Sequence, residues 1–165
     1  MTPALCSFAV DLVESNMKEL YMKSKDGWCR EDKEEEMQDT TSRYLIAFHD
    51  KIPVGMIHFQ FVEEETMTDR DAEVVYCYEI QVTRDYQRRG IGEYLIGLLE
   101  TIGKATSMEK VMLTVFKANK DAIKFYLERL QYDEISPCIC LTRGRASRFD
   151  YEILSKPLSD KQASK

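Results

Sequence analysis

One short segment, Gln87-Arg88-Arg89-Gly90-Ile91-Gly92, separates two runs of different periodicity and constrains this fold more than any other stretch. Ahead of it, Val74 to Val82 alternates as a strand, with Tyr76, Tyr78, Ile80 and Val82 on one face and Val75, Cys77, Glu79 and Gln81 on the other. Behind it, Ile91, Leu95, Leu98, Leu99 and Ile102 fall on one helical stripe, with Gly103 in the position of a C-cap. A strand that passes through two glycines straight into an amphipathic helix requires that helix to lie on a sheet. A turn so poor in bulk lets several backbone N–H groups face one point. The helix start adds partial positive charge and Arg84, Arg88 and Arg89 reinforce it, so an anionic phosphate is the expected ligand. A Walker loop needs GxxxxGK[ST], which is missing, and a dinucleotide GxGxxG needs glycine where Leu95 stands.

The remaining periodicities predict the other elements. Leu12, Val13, Met17, Leu20 and Tyr21 recur at helical spacing over Ala9 to Lys23, in a helix ending near Gly27, and the acidic run Arg30 to Gln38 reads as a short exposed helix. Tyr44 to Phe48 and Val54 to Phe61 flank Asp50-Lys51-Ile52-Pro53 as a hairpin, followed by an acidic loop from Glu63 to Glu73. Val111 to Phe116 is continuously apolar, as in a strand covered on both faces. Asn119 to Leu130 reads as a helix with Ala122, Phe125, Tyr126 and Leu130 inward, and Tyr132 to Ile135 and Phe149 to Leu154 as two last strands. The fold class is α/β or α+β: a mixed, mostly antiparallel sheet layered by helices.

With 165 residues, 44% of them apolar, the chain can close one core, so one domain is expected over 1–156, followed by a polar tail, 157–165. The net charge of −6 disfavours direct nucleic-acid binding and suits a cationic partner. The longest stretch without a charge, Ile52 to Val62, is roughly half a membrane-spanning helix, and no signal-peptide pattern opens the chain, so a soluble intracellular protein with no membrane partner is expected. Five cysteines (Cys6, Cys29, Cys77, Cys138, Cys140) form no CxxC pair and stand with two histidines, His49 and His58; reduced thiols and no metal are expected.

The glycine segment has the Q/RxxGxG/A form and resembles the acetyl-CoA pyrophosphate loop of the Gcn5-related N-acetyltransferase (GNAT) superfamily. Asn119-Lys120-Asp121-Ala122, with Tyr126 beyond it, resembles that superfamily's later segment facing the cofactor. Tyr76-Cys77-Tyr78-Glu79-Ile80-Gln81, Val111 to Lys117, Tyr44 to Ala47 and Tyr151 to Ser155 resemble, more narrowly, the N-alpha-acetyltransferase D (NatD) family of histone N-terminal acetyltransferases, over about Phe8 to Lys156. The resemblance implies transfer of acetyl from acetyl-CoA to the α-amino group of a Ser-Gly-Arg-Gly N-terminus, as on histone H4 and its H2-type relative, by direct attack in a ternary complex. It also implies action without an auxiliary subunit, and a nuclear and cytoplasmic location. Members of the family carry a basic segment before the first helix, whereas this chain starts nearly at that helix.

Chemistry and resemblance meet at Glu79. A thioester is attacked by a neutral amine, and an α-amine with pKa near 7.7–8.0 is about a tenth neutral at pH 7, against a few parts in ten thousand for lysine. A modest base suffices, and Glu79, a carboxylate in a burial-prone strand, is the candidate, directly or through water; a strand carboxylate paired with a nearby arginine is the alternative. The resemblance implies that Ile80, Gln81 and Val82 pair with the pantetheine arm, that Gln87, Arg88, Arg89, Gly90, Ile91, Gly92 and Glu93 wrap the pyrophosphate, and that Asn119 contacts the cofactor. Tyr126 is either the acid for the departing thiolate or an aromatic packed in the core. For the acceptor peptide the resemblance implies Tyr21, Tyr78, Thr114 and Tyr151, with Glu63 or Glu64 for the substrate arginine. Val62 stands where the family has Asp, and Asp26-Gly27-Trp28 where it has Trp-Gly-Trp. Two other readings stay open: the same fold acting on lysine or another amine, and a non-catalytic acetyl-CoA-binding module.

Overall fold

The computed structural model describes residues 1–25, 27–64, 71–135 and 149–158. The helices are α1 (Pro3–Lys23), α2 (Arg30–Met37), α3 (Ile91–Ala105) and α4 (Lys120–Lys124), and the strands are β1 (Arg43–His49), β2 (Ile52–Glu64), β3 (Ala72–Val82), β4 (Lys110–Phe116), β5 (Asp133–Ile135) and β6 (Tyr151–Pro157). The fold is α+β, a six-stranded sheet in the order β1-β2-β3-β4-β6-β5 flanked by helices, as the sequence led us to expect. The chain divides into two compact units, Met1–Gln60 with Cys77–Ile96 and Phe61–Tyr76 with Gly97–Lys165.

In the first unit, α1 starts earlier than its apolar stripe suggests. Thr2 caps the helix by accepting from the Leu5 N–H, and Pro3 fills the first turn, where its missing donor costs nothing. Its Ala9, Val10, Leu12 and Val13 cluster with Met37 and Met56, edged by Tyr21, Trp28 and Tyr44. The acidic run does form a helix, α2, but not an exposed one, since Lys33 and Met37 are buried. Arg30 fastens it to α1 through Asp11 (2.7 Å) and Glu14 (2.6 Å), and binds Glu34 at 2.8 Å. Strands β1 and β2 form the expected antiparallel hairpin, with Asp50 (φ 47°) and Lys51 (φ 67°) left-handed in a tight turn that matches strand twist. A Cβ on Gly55 would stand 3.1 Å from the Gln81 carbonyl oxygen, so glycine here permits a close backbone approach.

In the second unit, Ala72, Val74 and Met112 cluster with Val62, Tyr76, Ile135 and Ile153. Strand β4 pairs antiparallel with β6 from Lys110↔Pro157 to Phe116↔Tyr151, and β5 pairs antiparallel with β6. Four local expectations are corrected. Gly103 lies inside α3 rather than capping it; a Cβ there would clash with Leu158 Cδ1, and Ser107 (φ 61°) takes the left-handed position after the helix. The segment from Asn119 is not one helix to Leu130: α4 ends at Lys124 and a π-helical turn, Phe125–Arg129, follows, with Leu130 N–H bonded five residues back to Phe125. Glu63 and Glu64 are not in a loop but end β2. The last strand, expected over Phe149 to Leu154, runs instead over Tyr151–Pro157, and Leu158 is buried beyond it. Among the described residues Cys6, Cys29 and Cys77 are free thiols; Cys138 and Cys140 lie outside them.

Candidate functional site

Glu79 is 5% exposed at the middle of β3, because the face that carries it, with Val75, Cys77 and Gln81, turns into the protein. Both oxygens of its carboxylate accept hydrogen bonds. Oε1 accepts from Tyr21 Oη at 3.0 Å and from Lys33 Nζ at 3.3 Å, and Oε2 accepts from Gln81 Nε2 at 3.0 Å. The partner is therefore a lysine of α2, not an arginine, and the tyrosine is the one the resemblance assigns to the acceptor peptide. Lys33 Nζ also reaches Tyr21 Oη at 3.2 Å and both oxygens of Glu36 at 3.0 and 2.8 Å. Burial works against the Lys33 charge, but Glu79, Tyr21 and Glu36 outweigh it and hold the ammonium above its ordinary pKa. Burial, then the adjacent Glu79 charge, pushes the Tyr21 phenol well above its ordinary range, so this hydroxyl stays protonated and can donate. The same two causes raise the Cys77 thiol.

A second layer holds this centre. Asn16 Nδ2 donates to Gln81 Oε1 and to the Val82 carbonyl, both at 3.1 Å, and Gln87 Nε2 donates to the same carbonyl at 2.9 Å. Tyr78 is 39% exposed and its ring stacks on His58, which stacks in turn on Tyr44, at centroid distances of 5.3 and 4.9 Å. Burial, then the Lys33 charge, lowers the His58 pKa to about 4, and its Nε2 pairs with Ser42 Oγ at 2.8 Å. Trp28 packs against Tyr21 at 5.5 Å; Asp26, which precedes it by two positions, lies outside the described residues.

The glycine segment takes the form its sequence predicts. After a single 3-10 turn, Arg84–Tyr86, the chain bends through Arg88 (φ 60°) and Gly90 (φ 84°), and α3 begins at Ile91 with the Tyr94 N–H bonded to the Gly90 carbonyl at 2.9 Å. The amides of a first helical turn have no carbonyl one turn back, so they present donors and partial positive charge to an anion. Nothing lies within 4 Å of a Cβ built on Gly90, and the guanidinium of Arg89 rests over the Tyr86 ring at 5.2 Å. A loop of this length, charge and backbone shape fits a pyrophosphate.

In the second unit, Asn119 caps α4 by accepting from the Ala122 N–H at 3.2 Å. Tyr126 is 6% exposed, with Phe125 and Tyr132 at 5.3 and 5.9 Å, which is a packed-aromatic environment. Thr114 is exposed on β4 and its Oγ1 is 2.6 Å from Tyr76 Oη. Tyr151 stands opposite Phe116 at the start of β6, beside Phe149. Sequence reasoning missed three residues: Lys33, Asn16 and His58. The only signal for Lys33 is a single base inside the run Glu31 to Glu36, and nothing in the sequence marks Asn16.

The model of the acetyltransferase (GNAT) family matches residues 11–132, a span that includes Glu79, the glycine loop and Asn119. The chain belongs to the GNAT acetyltransferase family. Acetyl-CoA is accordingly its acetyl donor. Solved structures share the fold of this acetyltransferase. NAA60 of Arabidopsis thaliana in complex with a bisubstrate analogue is 16% identical at TM-score 0.70, over 95% of this chain and 94% of that one. The ribosomal-protein-S18-alanine N-acetyltransferase of Escherichia coli is 18% identical at TM-score 0.64, over 100% and 95%. The PaiA N-acetyltransferase of Thermoplasma acidophilum in complex with coenzyme A is 16% identical at TM-score 0.66, over 95% and 95%.

Proposed function

We propose that this GNAT enzyme is an N-terminal α-amine acetyltransferase of the NatD type, with a basic histone-like N-terminus beginning Ser-Gly-Arg-Gly as acceptor and Glu79 as general base. The observation that carries the reading is the buried Glu79 carboxylate joined to a tyrosine hydroxyl in the middle of β3. One of the similar structures, the ribosomal-protein-S18-alanine N-acetyltransferase, is named for a protein acceptor, which supports the acceptor class. The motifs around Tyr76 to Gln81 and Tyr151 to Ser155 support the narrower acceptor.

In this mechanism the acceptor amine arrives partly neutral, and Glu79 takes its proton directly or through one water. Tyr21 keeps Oε1 aligned and, with its own proton retained, serves as donor throughout. Bound acetyl-CoA supplies the thioester carbonyl that the amine attacks. Ile80, Gln81 and Val82 hold its pantetheine arm, Gln87 to Glu93 hold its pyrophosphate, and Asn119 contacts it, with Oδ1 already committed to the helix cap. Tyr78, Thr114 and Tyr151 give the peptide apolar walls with polar tips, and Glu63 and Glu64 offer charge to its arginine. Tyr126 is the one phenol of the assigned set that lies buried, so protonation of the leaving thiolate falls to it only if the cofactor end opens to its hydroxyl. The acceptor protein places the enzyme in the nucleus and the cytoplasm.

The test is acetyl transfer to a Ser-Gly-Arg-Gly-Lys peptide, compared with the same peptide N-terminally blocked, by the parent protein and Glu79→Gln. Transfer to the free N-terminus alone, lost in Glu79→Gln while acetyl-CoA binding persists, is the expected result. Transfer to the blocked peptide moves the chemistry to lysine, and full turnover by Glu79→Gln removes the base assignment.

A further inference from the structure

Lys33 is buried to 8% exposure on a helix whose other seven residues include five acids, and a lysine is almost never this buried unless it is paired. Its three ammonium protons face four oxygens: Tyr21 Oη, Glu79 Oε1 and the two of Glu36. A buried ion pair contributes little net stability, because desolvation of both ions offsets their attraction. What the pair does control is the orientation of the carboxylate, whose Oε1 is held by Lys33 from α2 and by Tyr21 from α1. Glu36 lies 39% exposed in its side chain and Glu79 4%, so Lys33 bridges the solvent edge of α2 to the interior of β3.

We propose that Lys33 is the positioning residue of this centre: its ammonium, bonded to Glu79 Oε1 and to Tyr21 Oη, keeps the carboxylate aimed, so proton acceptance at β3 depends on a residue of α2. This rests on Glu79 acting as base. The described groups around the pair are Tyr21 from α1, Glu36 from α2, Tyr44 from β1, His58 from β2 and Cys77 and Gln81 from β3. Tyr21 and Cys77 stay protonated and His58 stays neutral above about pH 4, so among these described groups the charges are those of Lys33, Glu36 and Glu79.

Substitutions on α2 test this, with kcat and KM read separately and folding checked by urea denaturation. Lys33→Met keeps the stem and removes the ammonium, and should lower kcat about tenfold or more with KM for acetyl-CoA unchanged. Lys33→Arg, which restores a cation with donors, should recover part of that loss. Glu36→Gln leaves Lys33 to Tyr21 and Glu79, and should keep kcat within about twofold of the parent protein. Should Lys33→Met fail to fold, Lys33→Gln takes its place with the same expectation. A folded Lys33→Met or Lys33→Gln with parental kcat, or a Glu36→Gln that loses kcat as far, overturns the positioning role even if Glu79→Gln is inactive. Full activity of Glu79→Gln instead overturns the base reading, whatever the α2 variants show.

Discussion

Tyr21 Oη donates to Glu79 Oε1 at 3.0 Å across 58 positions of sequence, tying α1 to the centre of β3. The same hydroxyl accepts from Lys33 Nζ at 3.2 Å, so it is held from two sides, and its ring packs against Trp28. Removing the oxygen while keeping the ring, Tyr21→Phe, costs one donor to Glu79 and one acceptor for Lys33. The expected loss is about 1–2 kcal/mol of folding stability by urea denaturation. The expected kinetic effect is a fall in kcat of about tenfold or more with acetyl-CoA affinity unchanged. An unchanged kcat would assign Tyr21 to the packing of α1 alone.

Gly90 carries the second prediction. At φ 84° it occupies backbone space that a β-branched residue does not enter without strain, although no neighbouring atom obstructs a side chain there. Gly90→Val should therefore distort the loop rather than the core. We expect acetyl-CoA affinity by calorimetry to fall about tenfold, corresponding to roughly 1–2 kcal/mol of left-handed strain that the binding conformation must carry. Parental affinity would show that the loop is not where the pyrophosphate sits.

Two glycines of α3 should respond to the same substitution with opposite signs. Gly97 is exposed, with nothing within 4 Å of a built Cβ, so Gly97→Ala should stabilise by about 0.5–1 kcal/mol through helix propensity. A Cβ built on Gly103 would clash with Leu158 Cδ1 and stand 3.0 Å from Val75 Cγ2, so Gly103→Ala should destabilise by about 1–3 kcal/mol through overpacking. Denaturation midpoints of the pair check both, and equal signs would contradict the packing between α3 and Leu158.

That pair also shows what was legible in the sequence. The strand alternation of Val74 to Val82, the stripe of α3 and the glycine turn rest on local periodicity and appear where the sequence places them. Glu79 was visible as a carboxylate among apolar neighbours. Gly103, near the end of an apolar stripe, carries the local signature of a cap, but its reason is Leu158, 55 positions away and invisible to any window. Lys33 sits in a run that reads as solvated, and becomes buried only because Arg30 and Met37 dock α2. A buried counter-ion is a tertiary fact; the sequence names its charge and not its partner.

His58 supplies the last prediction, on pH. Fully buried between Tyr44 and Tyr78, it is held neutral, with a pKa lowered to about 4 by burial and then by the Lys33 charge, against an ordinary 6.5. Among the described residues its Nδ1 has no hydrogen-bond partner, so protonation would bury an unpaired donor. Below pH 6.5 the unfolded chain binds a proton that the folded protein refuses until about pH 4. The unfolded state therefore holds more protons across this window, and stability falls as pH drops through it, then levels below it. The full effect is on the order of 3 kcal/mol. His58→Phe keeps an aromatic ring between Tyr44 and Tyr78 and removes the titration. Urea unfolding free energies measured from pH 7 to pH 4 should lose most of that slope in His58→Phe relative to the parent protein, while the carboxylates of Glu14, Glu31 and Asp39, held below their ordinary pKa by hydrogen bonds, contribute equally to both. Parallel curves would mean that the His58 ring accepts its proton without unfolding, and that the stack with Tyr78 opens under acid.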